Sequence, residues 1–353
     1  MLRVISGPTL TQHFNTNPLL CGLRLWLSRA DVLSSLAHLE AVMGKNCRRI
    51  LFAFLLTSVA TLISVGQEGD GTRRNRGPAK PITVPVTLRL PKPVEMRVVD
   101  FLLREDGEMQ TILSIRHQND NPLTLALLLQ DDLVSSINTE TRGLGDFIRH
   151  QPSGTRIMTG YIRAGSVEVR RKFTTDLEKA ASTLRPPLAL ASAAPFNPFV
   201  EIIETLRRFD SQPLGRRAII VVSDGLDISR GLDSSGPTQS LDLQRAINEA
   251  QRRSVAIYSI YVPSAAVENT LLLGANGQSC LERLSSETGG RAFFQGTGAP
   301  VSFDPFLREI DNSLSRQLAV TYLSTHTSKG FHRLDIKPLE KDIEIRHPAG
   351  YTR

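Results

Sequence analysis

The chain has 353 residues, of which 41% are apolar and 22% are charged, and its formal net charge is +7. This composition is typical of a globular protein and excludes a collagen-like, low-complexity or disulfide-stapled chain. Residues 1–66 hold six basic and two acidic residues, so more than half of the net charge lies there. The remainder shows no basic stripe with interleaved aromatic residues, which argues against nucleic-acid binding.

The first predicted element is a leader. Residues 50–65 form an apolar run behind Lys45, Arg48 and Arg49, and residues 64–66 follow the small-x-small pattern of a cleavage site. These features predict a secretory signal peptide over residues 43–66, with residues 1–42 as an over-extended start. An uncleaved membrane anchor is the alternative, although the run is shorter than the roughly 20 residues that span a bilayer. Cleavage would leave Cys280 as the only cysteine, which we expect in the core.

Two regions that flank the main domain are predicted to form β-structure. Residues 67–81 are rich in Gly, Arg and Pro and predict a flexible linker. Strand-like segments come next within a small β segment, residues 82–118, at residues 82–90, 98–103 and 110–116. Three strands are few for an independent core, so we expect this segment to pack against the domain after it. The C-terminal residues 318–353 predict short, antiparallel strands at residues 318–323, 331–336 and 343–345.

Between these flanks, residues 119–317 alternate between strand-like and helical patterns. The predicted strands are residues 123–129, 156–163, 165–170, 218–222, 255–262 and 291–294. The predicted helices are residues 137–148, 176–184, 199–209, 243–250, 279–289 and 304–314. A capping box at Ser279 and Glu282 is expected to open the fifth helix. This alternation predicts an α/β fold with a doubly wound, mostly parallel sheet flanked by helices, and a small β extension from both flanks.

Two of the predicted strands end in polar residues. The apolar residues 218–222 run into Ser223, Asp224 and Gly225, and residues 123–129 run into Gln130 and Asp131. Because ligands of open α/β sheets bind beyond the carboxyl ends of the strands, these residues mark a candidate functional edge. No dinucleotide-binding, Walker or nucleophile-elbow motif is present, and no histidine pair has zinc-type spacing. We therefore expect a protein that is not an enzyme.

Oxygen-bearing side chains at this edge suggest a Mg²⁺ site, since Mg²⁺ favours carboxylates, hydroxyls and water. The candidate metal ligands are Asp131, Asp132, Ser135, Thr174 and Asp224. The accompanying binding edge comprises Gln130, Ser136, Thr175, Ser223 and Gly225. An alternative interpretation is that the two adjacent aspartates are solvated or cap the next helix, and that the two serines are ordinary N-cap residues.

At these residues the chain resembles the von Willebrand factor A (VWA) domain, a Rossmann-type α/β fold. The family carries Asp-x-Ser-x-Ser after its first strand, a threonine in a later loop, and an aspartate often found in Ser-Asp-Gly. Ser223-Asp224-Gly225 matches the last element and Thr174 the threonine. In the first element Gln130 replaces the aspartate, and Asp132 and Val134 replace the serines.

The flanking residues resemble a bacterial VWFA-related subgroup of this family. The resemblance rests on residues 100–107, Gln110-Thr111-Ile112, Tyr322 and Gly350-Tyr351, so that about residues 82–353 are covered. It implies an exported binding module for protein–protein recognition at the cell envelope, secreted or periplasmic, with a degenerate metal-ion-dependent adhesion site. In an intact site of this kind, a carboxylate of the partner completes the Mg²⁺ shell.

The substitution at Gln130 leads us to expect weak Mg²⁺ binding or none. In that site Asp224 would act through water, and Asp131 or Asp132 would take the place of the missing aspartate. A metal-independent polar surface at the same edge is the close alternative. Two other classes stay open, namely a metal-assisted hydrolase using these carboxylates and a structural subunit of a secreted complex. Membrane contact is expected only through an uncleaved leader.

Overall fold

The computed structural model describes residues 78–89, 96–267, 270–340 and 342–353, and not the side chain of Val99. The predicted leader and most of the predicted linker lie outside these described residues. Residues Arg74–Arg353 form one compact unit. Within the described ranges, no helix combines the length and the apolarity needed to cross a bilayer.

The secondary structure alternates between strands and helices in its middle part and consists of strands at both ends. The strands are β1 (Lys80–Arg89), β2 (Phe101–Glu105), β3 (Glu108–Met109), β4 (Thr111–Arg116), β5 (Thr124–Gln130), β6 (Arg156–Arg163), β7 (Ser166–Thr174), β8 (Arg217–Ser223), β9 (Ala256–Tyr261), β10 (Ala292–Phe293), β11 (Gln317–Ser324), β12 (Phe331–Pro338), β13 (Glu344–Arg346) and β14 (Gly350–Thr352). The helices are α1 (Glu140–Arg149), α2 (Leu177–Ala181), α3 (Pro198–Arg207), α4 (Leu241–Arg253), α5 (Leu271–Thr288) and α6 (Asp304–Ser315).

The middle part is a six-stranded sheet in the order β10-β9-β8-β5-β6-β7. All neighbours are parallel except β7, which runs antiparallel to β6. Every residue of β5 and β8 is buried because helices cover both faces, which accounts for their uninterrupted apolar sequences. Leu127 faces a core shared with α1 and α6, and Leu128 faces one shared with α3, α4 and α5. The predicted doubly wound, mostly parallel α/β fold is confirmed.

The two flanks build a second layer of two four-stranded sheets, β13-β1-β11-β4 and β14-β12-β2-β3. Strand β1 pairs with β11, and β2 pairs with β12, so neither flank forms a sheet alone. Their inward side chains, including Val84, Leu103, Val320 and Ile336, share one apolar core. The predicted extension from both flanks is confirmed. It begins at Lys80, two residues inside the predicted linker.

The end of one predicted strand and the start of one predicted helix differ from the structure. Strand β7 continues to Thr174, beyond the predicted end at Arg170, and turns back along β6. Helix α5 starts at Leu271, so Ser279 lies inside it and donates to the Ala275 carbonyl oxygen. The predicted capping box there was therefore wrong. Cys280 lies in the core as expected, and burial raises the pKa of its thiol to about 12.

Candidate functional site

The ends of β5 and β8 lie side by side at one edge of the central sheet. Leu129 pairs with Val222 in parallel register, so Gln130 and Ser223 leave the sheet together. Strands β6 and β9 end at the same edge because they run parallel to β5 and β8. We call this the carboxyl edge. The convergence of the two loops is the geometry that the sequence predicts.

Gln130 connects the two loops through both ends of its amide. The side chain is 1% exposed. Its Oε1 accepts hydrogen bonds from the Ser223 hydroxyl at 2.5 Å and from the Asp224 backbone N–H at 3.2 Å. Its Nε2 donates to Asp132 Oδ1 at 2.8 Å. An amide suits this position because it accepts from one loop and donates to the other, which an ionised carboxylate cannot do.

Asp224 and Asp132 form a buried pair of acids beneath this edge. Burial raises the pKa of Asp224 to about 6, and the charge of Asp132 adds to the rise. Hydrogen bonds from the Ser264 hydroxyl and the Leu226 N–H lower the pKa of Asp224 and so offset part of this rise. Burial also raises the pKa of Asp132, with a further contribution from the charge of Asp131. Each ionised carboxylate is thus disfavoured by burial and by its acidic neighbour.

Asp131 has a different environment, because a guanidinium neutralises it. Its side chain is fully buried, and both oxygens accept from Arg185, at 2.6 Å from Nη1 and at 2.9 Å from Nη2. The Leu188 N–H adds a third bond at 3.1 Å. The hydrogen bond to Asp131 raises the pKa of Arg185. The sequence carries no signal for this partner, since Arg185 lies 54 positions further along in a proline-containing loop.

The remaining predicted ligands do not join this cluster. Ser135 and Ser136 are exposed and lie in a single 3-10 turn. Thr174 pairs with Ile157 near the start of β6, at the opposite edge of the sheet, and its hydroxyl accepts the Asp176 N–H. Its placement at the carboxyl edge was wrong because β7 runs antiparallel to its neighbour. Thr175 is exposed beside it.

The VWA resemblance implies Mg²⁺, but the residues present do not fit it. Both oxygens of Asp131 are bound to Arg185, Gln130 presents an amide, and Thr174 is at the other edge. In the described part of the chain, no group of three or more His, Cys, Asp or Glu side chains is arranged to hold a metal ion. The alternative interpretation of Asp131 and Asp132 fails as well, since both are buried and neither caps a helix.

Above these acids the carboxyl edge carries exposed apolar side chains. Among described residues 119–317, every exposed large apolar side chain except Leu214 lies at this edge, in a loop after a strand, in the loop between α2 and α3, or in the first turn of a helix that starts there. These side chains, which we call the apolar rim, are Leu188, Leu190, Phe196, Val200, Leu232, Leu241, Leu271, Leu272, Phe294 and Val301. Leu214 precedes β8 and lies at the opposite edge. Sequence reasoning missed this surface because it followed the polar residues.

Phe196 is the most prominent aromatic member of the apolar rim. It is 63% exposed and has a positive φ of 52°. That backbone region is unfavourable for a bulky aromatic residue and persists only where surrounding contacts impose it. The Phe196 carbonyl oxygen accepts the Ile228 N–H at 2.8 Å. The fold therefore holds an exposed ring in a conformation that the residue itself disfavours.

Comparisons with known proteins find similar solved structures and no family. No family model and no curated protein matches the chain. Solved structures with a similar fold include BatB from Bacteroides thetaiotaomicron (12% identity, 55% of this chain and 98% of that one, TM-score 0.40). They also include a von Willebrand factor type A protein from Catenulispora acidiphila (9%, 80% and 75%, 0.40) and the SpRpn10 VWA domain (12%, 51% and 92%, 0.35). At these identities and TM-scores the similarity assigns the chain to no family.

Proposed function

We propose that this chain is a protein-recognition module that binds its partner through the apolar rim and without a metal ion. The observation that carries the proposal is the concentration of exposed apolar side chains at the carboxyl edge. Exposed apolar surface gathered in one region is typical of interaction sites. The acids below it are bound to an amide, to a hydroxyl and to a guanidinium, so they are not free to meet a partner.

Phe196 is the best candidate for the energetic centre of this contact. Aromatic residues dominate binding free energies when they enter a desolvated pocket. Fully burying such a side chain contributes about 1.5–3 kcal/mol, so its exposed part offers roughly 1–2 kcal/mol on association. Leu190, 53% exposed in the same loop, adds to the apolar area.

The proposal places this recognition outside the cytoplasm, at the cell envelope. Its support is the predicted signal peptide, with the apolar residues 50–65 behind Lys45, Arg48 and Arg49. It also treats the acids at the carboxyl edge as a degenerate adhesion site, in which Gln130 stands where the family has an aspartate. No catalytic step is part of the proposal, because Asp131, Asp132 and Asp224 are buried and bonded.

Affinity capture from an envelope fraction tests the proposal, with the tagged full chain as bait in the presence and absence of EDTA. We expect capture of a partner that EDTA leaves unchanged. Phe196→Ala should weaken it about tenfold, which corresponds to about 1.4 kcal/mol. Leu214→Ala is the matched control, because Leu214 is 64% exposed at the opposite edge.

Two results would contradict the proposal. Loss of capture in EDTA by the unmodified chain would show that a metal ion completes the site. Equal capture by the Phe196→Ala and Leu214→Ala variants would show that the partner binds elsewhere, as expected of a structural subunit that assembles through another surface.

A further inference from the structure

The loop that follows Arg185 carries three side chains of the apolar rim. Residues 186–196, the recognition loop, include Leu188, Leu190 and Phe196. Polar bonds tie this loop to the carboxyl edge at four successive points. They are Leu188 N–H to Asp131 Oδ1, Ala189 N–H to the Asp131 carbonyl oxygen, Ala164 N–H to the Ala193 carbonyl oxygen, and Ile228 N–H to the Phe196 carbonyl oxygen. Two of the four bonds end on Asp131.

Arg185 holds Asp131 from the start of the same loop. Its guanidinium makes two parallel bonds to the carboxylate, and its carbon lies 4.1 Å from the centroid of the Tyr161 ring. The Tyr161 hydroxyl donates to the Arg185 carbonyl oxygen at 2.5 Å and accepts the Arg185 N–H at 2.7 Å. The backbone and the side chain of Arg185 are thus fixed independently.

We propose that Arg185 is a positioning residue whose guanidinium does here what a divalent cation would do at such an edge. It neutralises the buried Asp131 and presets the recognition loop for its partner. The inference rests on the proposed function, because it explains how the apolar rim is held ready without a metal. A planar, permanently charged fork suits this task, since it satisfies both carboxylate oxygens while stacking on an aromatic ring.

The charge of Asp131 requires this partner. A fully buried carboxylate is stable only when it is paired and hydrogen-bonded. The other nearby cation is Arg163, whose Nε lies 3.9 Å from Asp131 Oδ2 and which is partly exposed. Removing the Arg185 guanidinium therefore leaves a buried charge with one distant cation. The carboxylate, and with it the loop bonds that end on Asp131, would then have to move.

Amide hydrogen exchange of the full chain tests the inference without a partner. In Arg185→Ala we expect amides of residues 188–196 to exchange at least tenfold faster than in the unmodified chain, while those of β11 stay unchanged. The exchange rate of Arg185→Lys should lie between those of Arg185→Ala and the unmodified chain, because lysine keeps the positive charge and loses the two parallel bonds of the guanidinium. Arg163→Ala, the matched control, should leave the exchange of the loop unchanged.

Chemical rescue separates a cation role from a loss of packing. Guanidinium chloride at a low, non-denaturing concentration should restore slow exchange in Arg185→Ala, whereas sodium chloride at equal ionic strength should not. We also expect the double variant with Arg185→Ala and Asp131→Asn to exchange its loop amides no faster than the faster of the two single variants. Both changes act on one ion pair, so their effects should not add.

The outcomes separate this inference from the proposed function. Unchanged loop exchange in Arg185→Ala, absence of rescue by guanidinium, or additive effects of the two changes would each overturn the role of Arg185. None of these measurements involves the partner, so the proposed function would still stand on the capture experiment. Conversely, if the Phe196→Ala variant captured the partner as well as the unmodified chain did, the proposed function would be wrong, and the exchange results on Arg185 would still hold.

Discussion

At the residue scale, the candidate site depends on how four buried polar side chains satisfy one another. Gln130 bonds to Ser223 and Asp132, and Asp224 accepts the Leu226 N–H. A buried polar network is stable when its members are satisfied, and it is costly when one of them is charged without compensation. Asp224 is the exception here, because burial opposes its ionisation more strongly than its hydrogen bonds support it.

Stability should therefore depend on the protonation of Asp224. Its pKa is raised from 3.8 to about 6, so folding favours the protonated form. The stabilising effect is complete below pH 3.8 and is lost as the pH rises to about 6. Because one pKa unit is worth about 1.4 kcal/mol, ionised Asp224 costs about 3 kcal/mol at neutral pH. We expect Asp224→Asn to raise the free energy of unfolding by about this amount at about pH 7.5 and hardly at all at about pH 4.

Urea denaturation at several pH values measures this difference. Asp233→Asn is the control, because Asp233 is an exposed acid in the loop after the same strand. If Asp224→Asn raised the free energy of unfolding by the same amount at every pH, ionisation of Asp224 would not be the cause. If it lowered the free energy of unfolding at about pH 7.5, the charge of Asp224 would have a stabilising partner.

Part of this site could be predicted from the sequence, and the limit is physical. Uninterrupted apolar strands fix where Gln130 and Asp224 emerge, because parallel neighbours end at one edge. The same rule misplaced Thr174, since an antiparallel strand ends at the other edge. The salt bridge between Asp131 and Arg185 could not be predicted, because local sequence patterns do not indicate which residue of a distant loop packs against a given acid.

At the element scale, helix α5 supports the carboxyl edge through a glycine contact. Gly225 has a positive φ of 69°, and a Cβ built on it would lie 2.5 Å from the Gly277 carbonyl oxygen. A Cβ on Gly277 would in turn overlap the Asp224 carbonyl oxygen. The helix and the loop after β8 are therefore in backbone-to-backbone contact, which side chains at these two positions would prevent.

We expect Gly277→Ala to destabilise the fold although alanine favours helices. The gain in helix propensity is about 1 kcal/mol. Overpacking against an immobile backbone typically costs about 1–3 kcal/mol; because the contact is with backbone, we expect the upper end of this range and hence a net loss of about 2 kcal/mol. The loss should appear in urea denaturation, together with faster amide exchange of residues 224–230.

Gly143 in α1 is the matched control for this change. A Cβ built on Gly143 would lie 3.5 Å from its nearest neighbour, Asp304 Oδ1, which is an ordinary contact distance. Gly143→Ala should therefore raise the free energy of unfolding by roughly 0.5–1 kcal/mol. Equal effects of the two alanines would contradict the close approach at Gly277.

The same glycine contact explains why the start of α5 was not predicted. Residues 271–277 contain two glycines and an asparagine, a composition that disfavours a helix by propensity alone. Tertiary contact reverses that preference, because the small residues let the helix approach the loop after β8. The end of α5 is different, since Gly289 caps it in the left-handed conformation that the sequence pattern indicates.

At the scale of the whole molecule, Arg216 joins the central sheet to the flanking sheet that contains β11. It is 3% exposed and lies directly before β8. Its guanidinium donates to the carbonyl oxygens of Gln317 at 2.8 Å, of Asn121 at 3.3 Å, and of Leu314. Burial lowers its pKa to about 10, so it stays charged at neutral pH. Three backbone carbonyls at the start of β11, before β5 and at the end of α6 thus share one cation.

Arg216→Met should weaken both parts of the molecule together. Methionine keeps much of the length and removes the donors, which leaves buried carbonyl oxygens unsatisfied at a cost of about 1–3 kcal/mol each where water does not reach them. We expect a loss of about 3 kcal/mol in the free energy of unfolding by urea, in a single transition followed by far-UV and tyrosine near-UV circular dichroism.

The control is Arg207→Met, because Arg207 is an exposed residue of α3. This change should alter the free energy of unfolding by less than about 0.5 kcal/mol. If the flanking sheets were independent of the central one, Arg216→Met would split the unfolding curve into two transitions, and the region 80–353 would have to be treated as two domains.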